Sequence, residues 1–360
     1  MIMENDQKMS VHESRIFQSL DALRGLAAIL ILFRHTTDKT LEYWFRGSYL
    51  SVDLFFILSG FVLAHAYQAK LKGELAPIRF MLLRYVRIMP LYLIALAIEI
   101  ILTLCTSITA TENLRLFVTA TSSVLILPTI PTYSTASWAL FPLNFPAWSL
   151  FFELAANFVF AVFAPAATWR SLAFITGVSA LALFAASWMY GTLNHGLAWA
   201  DWPVAVVRVT FGFSAGVAVY ELWKLRPNVL ILPTWLLLIA FILMTLVPAG
   251  GRLASFLDPA IVVFCFGPLV YLATNAHVGR LLTPVLTALG VCSYGVYVLQ
   301  VPIIHFFKFI SPYLTGSEMA AHGVIRACVT GVLLTGLVMV LHHFYDVPVR
   351  SAVRRSLQKR

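Results

Sequence analysis

The chain has 360 residues, of which 60% are hydrophobic and 11% charged, and its formal net charge is +9. Soluble domains carry about a quarter charged residues, so this composition excludes a water-soluble globular protein and indicates an integral membrane protein. The basic residues sit in short segments flanking apolar runs, the pattern of loops held on the cytoplasmic side, which excludes nucleic acid as a partner.

Residues 1–18 are polar (Glu4, Asp6, Lys8, Glu13, Arg15) and contain neither an apolar core nor a small-residue cleavage site. They read as a cytoplasmic segment with no removable signal peptide. Apolar runs then recur near 22–38, 50–69, 88–107, 114–130, 146–164, 170–190, 203–223, 229–248, 256–275, 287–310 and 324–345. About 20 such residues cross a hydrocarbon core of roughly 30 Å. Segment 70–87 holds Lys70, Lys72, Arg79, Arg84 and Arg87 against Glu74, and the tail 348–360 holds Arg350, Arg354, Arg355, Lys359 and Arg360 against no acid.

Both basic segments are expected in the cytoplasm, so the number of full crossings must be even and one of the eleven candidates does not span. Segment 114–130 is the weakest, being rich in Thr and Ser and ended by Pro128 and Pro131. The expectation is an all-α, polytopic transmembrane helical bundle with about ten crossings plus one partial or re-entrant element. It forms one domain over 19–347, followed by a basic cytoplasmic tail over 348–360. Cys105, Cys265, Cys292 and Cys328 fall in apolar runs without metal or redox spacing and read as core residues.

An ionisable group inside a membrane helix costs a few kcal/mol and is a functional hypothesis by default. Arg24 and His35 bracket the apolar stretch 25–33 and stand 11 residues apart, about 16 Å along a helix, so one helix can address two depths. Asp53, near the start of the next, returning helix, is expected at the depth of His35, where it would orient the imidazole as a general base. The structural alternatives are a snorkelling Arg24, a packed His35, and an Asp53 that caps its helix or pairs with Arg34. Arg84 and Arg87 project from neighbouring turns and suit a phosphate, or else anchor the chain at lipid headgroups. Glu153 lies about one turn from Trp148 and needs a partner or a proton. It would hold an acceptor hydroxyl or pair with Arg24 or Arg208. Ser293, Tyr294 and Tyr297 supply hydroxyls that also suit helix packing. Glu99, His65, His305, His342 and His343 read as structural. No phosphate loop, dinucleotide fingerprint or metal-binding helix is present, so no metal and no permanently bound cofactor is expected.

Taken together, Asp21-Ala-Leu-Arg24-Gly25, His35, Ser51-Val-Asp53 running to Ser59-Gly60-Phe61, the Arg84/Arg87 pair before Pro90, Trp148-Ser149-Leu-Phe-Phe-Glu153 and Ser293-Tyr294-Gly-Val-Tyr297 resemble the membrane acyltransferase-3 family in order and spacing. The resemblance implies a multi-pass enzyme of the bacterial inner membrane with cytoplasmic termini. Such an enzyme moves an acyl group, usually acetyl from acetyl-CoA, onto a hydroxyl of a carbohydrate, a lipid-linked glycan or another envelope or secreted acceptor, and its surroundings are membrane lipids. It implies that Arg24 and His35 are the central pair and that Arg84 and Arg87 meet acyl-CoA on the cytoplasmic side.

Two departures stand out. Gln300 occupies a position where relatives often carry histidine, which puts an essential role for position 300 in doubt, and Phe151-Phe152 replaces the Ser-Val of many relatives. A soluble esterase-like domain fused to some relatives is not expected beyond Arg360. The expected assignment is catalysis by His35, Asp53 and Glu153, donor binding by Arg24, Arg84 and Arg87, and substrate contacts by Trp148, Ser149, Tyr294 and Tyr297. His35 either deprotonates the acceptor hydroxyl or carries the acyl group itself. The alternative class is a transporter whose Arg24, His35, Asp53 and Glu153 form a polar pathway, though no internal repeat supports it. Another membrane O-acyltransferase family places its histidine late in the chain.

Overall fold

The computed structural model describes residues 18–36, 46–73, 75–105, 109–227, 230–246, 251–280, 282–315 and 323–358. The N-terminal segment expected in the cytoplasm lies almost wholly outside them. Helix α1 spans Gln18–Thr36, and a 3-10 turn, Arg46–Leu50, leads into α2, Ser51–Lys72. There follow α3 (Pro77–Leu104), α4 (Ala110–Val124), α5 (Ala147–Phe163), α6 (Trp169–Tyr190) and α7 (Trp202–Leu225). Helix α8 (Thr234–Thr245) precedes α9 (Gly251–Ile261), which runs through a π turn into α10 (Gly267–Ala273). Helix α11 (Thr283–Thr315) and α12 (Gly323–Leu341) come next, and a second π turn, His342–Asp346, joins α12 to α13 (Val347–Gln358).

Among the described residues, seven helical stretches are long and apolar enough to cross a membrane: Arg46–Lys72, Pro77–Leu104, Trp169–Tyr190, Trp202–Leu225, Gly251–Ala273, Thr283–Ile310 and Arg326–Ser356. Helices α5 and α8 are apolar but shorter, while α1 carries Asp21, Arg24 and Arg34 within its 19 residues. By length and apolarity alone the crossing count therefore falls short of ten.

Two boundaries differ from expectation. The basic segment 70–87 is not a loop throughout, because Pro77, at a first-turn position that proline favours, starts α3 early and puts Arg79, Arg84 and Arg87 on the same helix as Glu99. The tail also stays helical, as α13. Charge density hid both helices from hydropathy.

Close backbone approach organises the centre. A Cβ on Gly25 would meet Leu289 at 2.7 Å, and one on Gly290 would meet Asp21 at 2.6 Å, so α11 lies directly against α1. Gly60 and Gly216 do the same for α2 and α7, with a Cβ falling 2.2 Å from the Phe213 carbonyl and 2.0 Å from that of Ile57. Small residues of this kind replace the hydrophobic drive that lipid cannot supply between helices. Phe56, Phe61, Tyr92, Phe141 and Phe266 fill the core, while Phe174, Leu181, Trp188 and Val332 are exposed, as on a surface solvated by lipid. Of the cysteines only Cys292 is buried and Cys105 and Cys328 are exposed. The core reading holds for Cys292 and is corrected for Cys105 and Cys328, because a position in an apolar run does not imply burial when the helix faces lipid.

The segment expected to be partial, 114–130, falls on α4, a helix of 15 residues. It opens with a capping box in which the Thr109 amide donates to Glu112 (2.7 Å) and the Glu112 amide donates to the Thr109 hydroxyl (3.3 Å). At its other end Tyr92 donates to the Ser123 carbonyl (2.8 Å) and Tyr85 to that of Val124 (3.3 Å). The chain then returns largely without regular structure to α5, tied down where Asn144 Nδ2 donates to the Val298 carbonyl at 3.1 Å. Residues 110–146 thus lean on α3 and α11.

Candidate active site

Because α1 and α11 run side by side in the same direction, their side chains meet in two layers. In the first, at the basic end of the bundle, Arg24 donates from Nε to Ser293 Oγ (2.8 Å) and from Nη2 to the Gly290 carbonyl (3.1 Å), and pairs with Asp21 at 2.8 Å. Glu153, carried by α5, accepts at Oε1 from Ser59 (2.7 Å) and from Arg84 Nη2 (3.2 Å). Its partner is Arg84 rather than the Arg24 or Arg208 expected. Arg87 and Glu153 each stand within electrostatic reach of both Arg24 and Arg84, and Arg87 is exposed. Arg84 Nε is buried without a hydrogen-bond partner, a donor left over in a site rich in positive charge. The π turn brings in a further cation, Arg350. It is held by Asp346 and lies within electrostatic reach of Arg87. Hydropathy placed Arg350 in a tail.

The second layer centres on His35, near the far end of α1. His35 Nδ1 lies 3.3 Å from Gln300 Oε1, and Gln300 Nε2 donates to the Tyr297 carbonyl at 2.9 Å. With the amide nitrogen engaged, the amide oxygen is the group that faces the ring. The arrangement places a proton on Nδ1 and leaves Nε2 bare. Gln300 is fully buried. His35 itself is exposed.

Asp53 does not orient His35. Both of its oxygens are taken by Arg208, at 2.9 Å from Nε and 2.7 Å from Nη2, in a fully buried bidentate pair. Arg208 completes its fork on the carbonyls of His195 (2.9 Å) and Tyr49 (3.2 Å) and lies over the Trp148 ring at 5.2 Å. The expectation failed because depth alone was used to pair Asp53. The residue that binds it lies 155 positions away on α7, and nothing local in the sequence marks it.

The remaining site candidates tie helices together. Ser149 Oγ and Tyr297 Oη lie 2.8 Å apart, and Tyr297 meets Phe55 edge to face at 5.4 Å. Tyr294 donates to the Ile88 carbonyl at 2.7 Å. Glu99 and His305, read singly as structural, are partners at 2.7 Å. Gln300, Ser59, Arg208 and Arg350 are what sequence reasoning left unassigned. Gln300 and Ser59 lay inside or beside quoted motifs. Among the described residues no group of three or more His, Cys, Asp or Glu could hold a metal ion.

The fold and these two layers define a class: a polytopic helical membrane protein with a cationic cluster near one end of a central helix and a histidine held by a buried glutamine towards the other. The comparisons make that class specific. A family model described as an acyltransferase domain matches residues 17–343. Over 195 residues the chain is 38% identical to "Protein 2 in picA locus" of Rhizobium radiobacter, covering 50% of this chain and 98% of that protein. No solved structure matches. The chain belongs to the acyltransferase-3 family of membrane proteins, and its reaction is acyl transfer.

Proposed function

We propose that the protein transfers an acetyl group from acetyl-CoA, held at the basic end of the bundle, to a hydroxyl of a carbohydrate or other envelope acceptor. On this reading the membrane is the bacterial inner membrane, the basic end and both termini face the cytoplasm, and α1, α5 and α8 add to the seven long helices to make ten crossings. The observation that carries the reading is the double anchoring of α1. Arg24 stands in the layer of Arg84, Arg87 and Glu153, and His35 stands with Gln300 eleven residues on, about 16 Å away.

Arg84, Arg87 and Arg24 would bind the phosphates of the coenzyme, with the spare Arg84 Nε as one donor. Binding energy from that remote end positions the thioester. His35 Nε2 takes the proton of the acceptor hydroxyl, the hydroxyl oxygen attacks the thioester carbonyl carbon, and collapse breaks the C–S bond. The proton on Nε2 then goes to the departing thiolate. If the imidazole instead carries the acyl group, the same nitrogen forms the bond. Purified protein incubated with labelled acetyl-CoA and no acceptor separates the two routes, since label retained on the polypeptide identifies the second. The reading itself is tested in proteoliposomes supplied with labelled acetyl-CoA and extracts of envelope glycans and lipids. Labelled product that depends on acetyl-CoA supports it, whereas solute flux without product would restore the transporter alternative.

A further inference from the structure

A groove of about 470 Å³ runs along α7 beside α5 and the start of α6, and none of Arg24, Arg84, Arg87 and Glu153 lines it. Its lining on α7 extends from Val206 to Lys224, about 27 Å of helix. The wall is made of Phe152, Val159, Phe163, Phe213 and Val217 among others, and it opens sideways where Val159, Phe163 and Val206 are exposed. Charge is confined to one end, where Lys72, Glu221 and Lys224 stand with Gln68. These lie at the C-terminal ends of α2 and α7, the basic end of the bundle. A long apolar slot with a charged mouth matches an amphiphile with one chain and one head.

The mouth also has a sign. Glu221 is spoken for at both oxygens, accepting from Gln68 Nε2 at 2.8 Å and pairing with Lys224 Nζ at 2.8 Å. Lys72 is exposed, so the mouth holds two cations against one acid. That leaves one net positive charge, the complement of a single phosphodiester. A zwitterionic head would bring a third cation to a place that already has one too many. Membrane lipid has no hydrophobic reason to leave the bilayer for an apolar slot, so selectivity must come from the head.

We propose that this groove is a binding site for an anionic phospholipid, one chain lying between α5 and α7 and the phosphate between Lys72 and Lys224. The upper end of the groove reaches Phe152 and Val206, close in sequence to Trp148 and Arg208, so the bound lipid braces the helices that carry the Asp53 and Trp148 contacts. The site stands whether or not acetyl-CoA is the donor.

The test is native mass spectrometry of the whole purified protein in mild detergent, with dioleoyl-phosphatidylglycerol or dioleoyl-phosphatidylcholine added at equal concentration. The protein should retain one phosphatidylglycerol in preference to phosphatidylcholine. K72A/K224A should lower that retention roughly tenfold or more, at about 1 kcal/mol per lysine near a membrane surface, while K72R/K224R keeps it. Glu221→Gln, which removes the competing acid, should raise it. Ala155→Trp, which fills the groove from an exposed position, should lower retention of both lipids with gel-filtration elution unchanged. Equal retention of the two lipids by the unmodified protein, or no effect of K72A/K224A, would mean annular lipid only and would overturn the proposal.

Discussion

Replacing Gln300 by leucine isolates the one contact that sets the proton position on His35. Gln300 is fully buried and makes two hydrogen bonds, to the Tyr297 carbonyl at 2.9 Å and to His35 Nδ1 at 3.3 Å. Leucine fills similar space but offers neither, so Nδ1 is left without its acceptor. Losing one such hydrogen bond costs about 0.5–1.5 kcal/mol, and about 1.4 kcal/mol is tenfold in rate, so kcat should fall roughly 2- to 13-fold. On the proposed reading the donor's phosphates are bound a layer away, so the apparent KM for acetyl-CoA should hardly move. Initial rates of label transfer from acetyl-CoA to an envelope extract, with the donor varied, give both numbers. Gln300→Glu keeps an acceptor in place and should retain more activity than Gln300→Leu. Wild-type kcat in a folded Gln300→Leu protein, or a loss confined to the donor KM, would refute the argument that Gln300 positions His35.

Three further outcomes follow from contacts elsewhere. Arg84→Ala removes the charged contact to Glu153 at 3.2 Å and a phosphate donor. At about 1.5–3 kcal/mol for a hydrogen bond to a charged group, the KM for acetyl-CoA should rise roughly 10- to 150-fold, and unchanged donor dependence would remove the phosphate role. Asp53→Ala strands the buried Arg208 guanidinium, a loss of about 3–5 kcal/mol visible as a lower Tm in detergent. Asp53→Leu with Arg208→Met should recover part of it, and a Tm unmoved by Asp53→Ala would contradict the pairing. Gly60→Ala drives a methyl to 2.2 Å from the Phe213 carbonyl and should cost about 1–3 kcal/mol by overpacking. Gly177→Ala, where no atom lies within 4 Å, should leave Tm unchanged, so equal effects of the two would refute the close α2–α7 contact.

Much of the fold was legible because lipid makes every crossing announce itself as a long apolar run. The helices of the structure fall on the expected runs, and the Thr/Ser-rich 114–130 is the short, capped α4. What hydropathy could not see was helix built from charged residues, at Pro77–Arg87 and at Val347–Gln358, where Arg350 approaches Arg87. Candidate site residues on α1, Arg24 and His35, were visible singly, since an ionisable group in such a run stands out. Their partners were not. Asp53 with Arg208, Glu153 with Arg84 and His35 with Gln300 are joined across 155, 69 and 265 positions. Which pairs form is decided by helix direction and rotation, which a periodic apolar pattern leaves open. Gln300 shows the cost most clearly, since a departure from the common residue looked like a lost function, yet it is the side chain that holds His35.

The account depends on a single atom, His35 Nε2, acting on an acyl group delivered from the arginine layer. Its most direct test is acetyl transfer by His35→Ala, measured with labelled acetyl-CoA and envelope extract beside equilibrium binding of the same donor. Transfer should be lost while donor binding stays within about twofold of the unmodified protein, as expected for a group that acts in the reaction rather than in binding. Near-normal transfer by a folded His35→Ala protein would contradict the account.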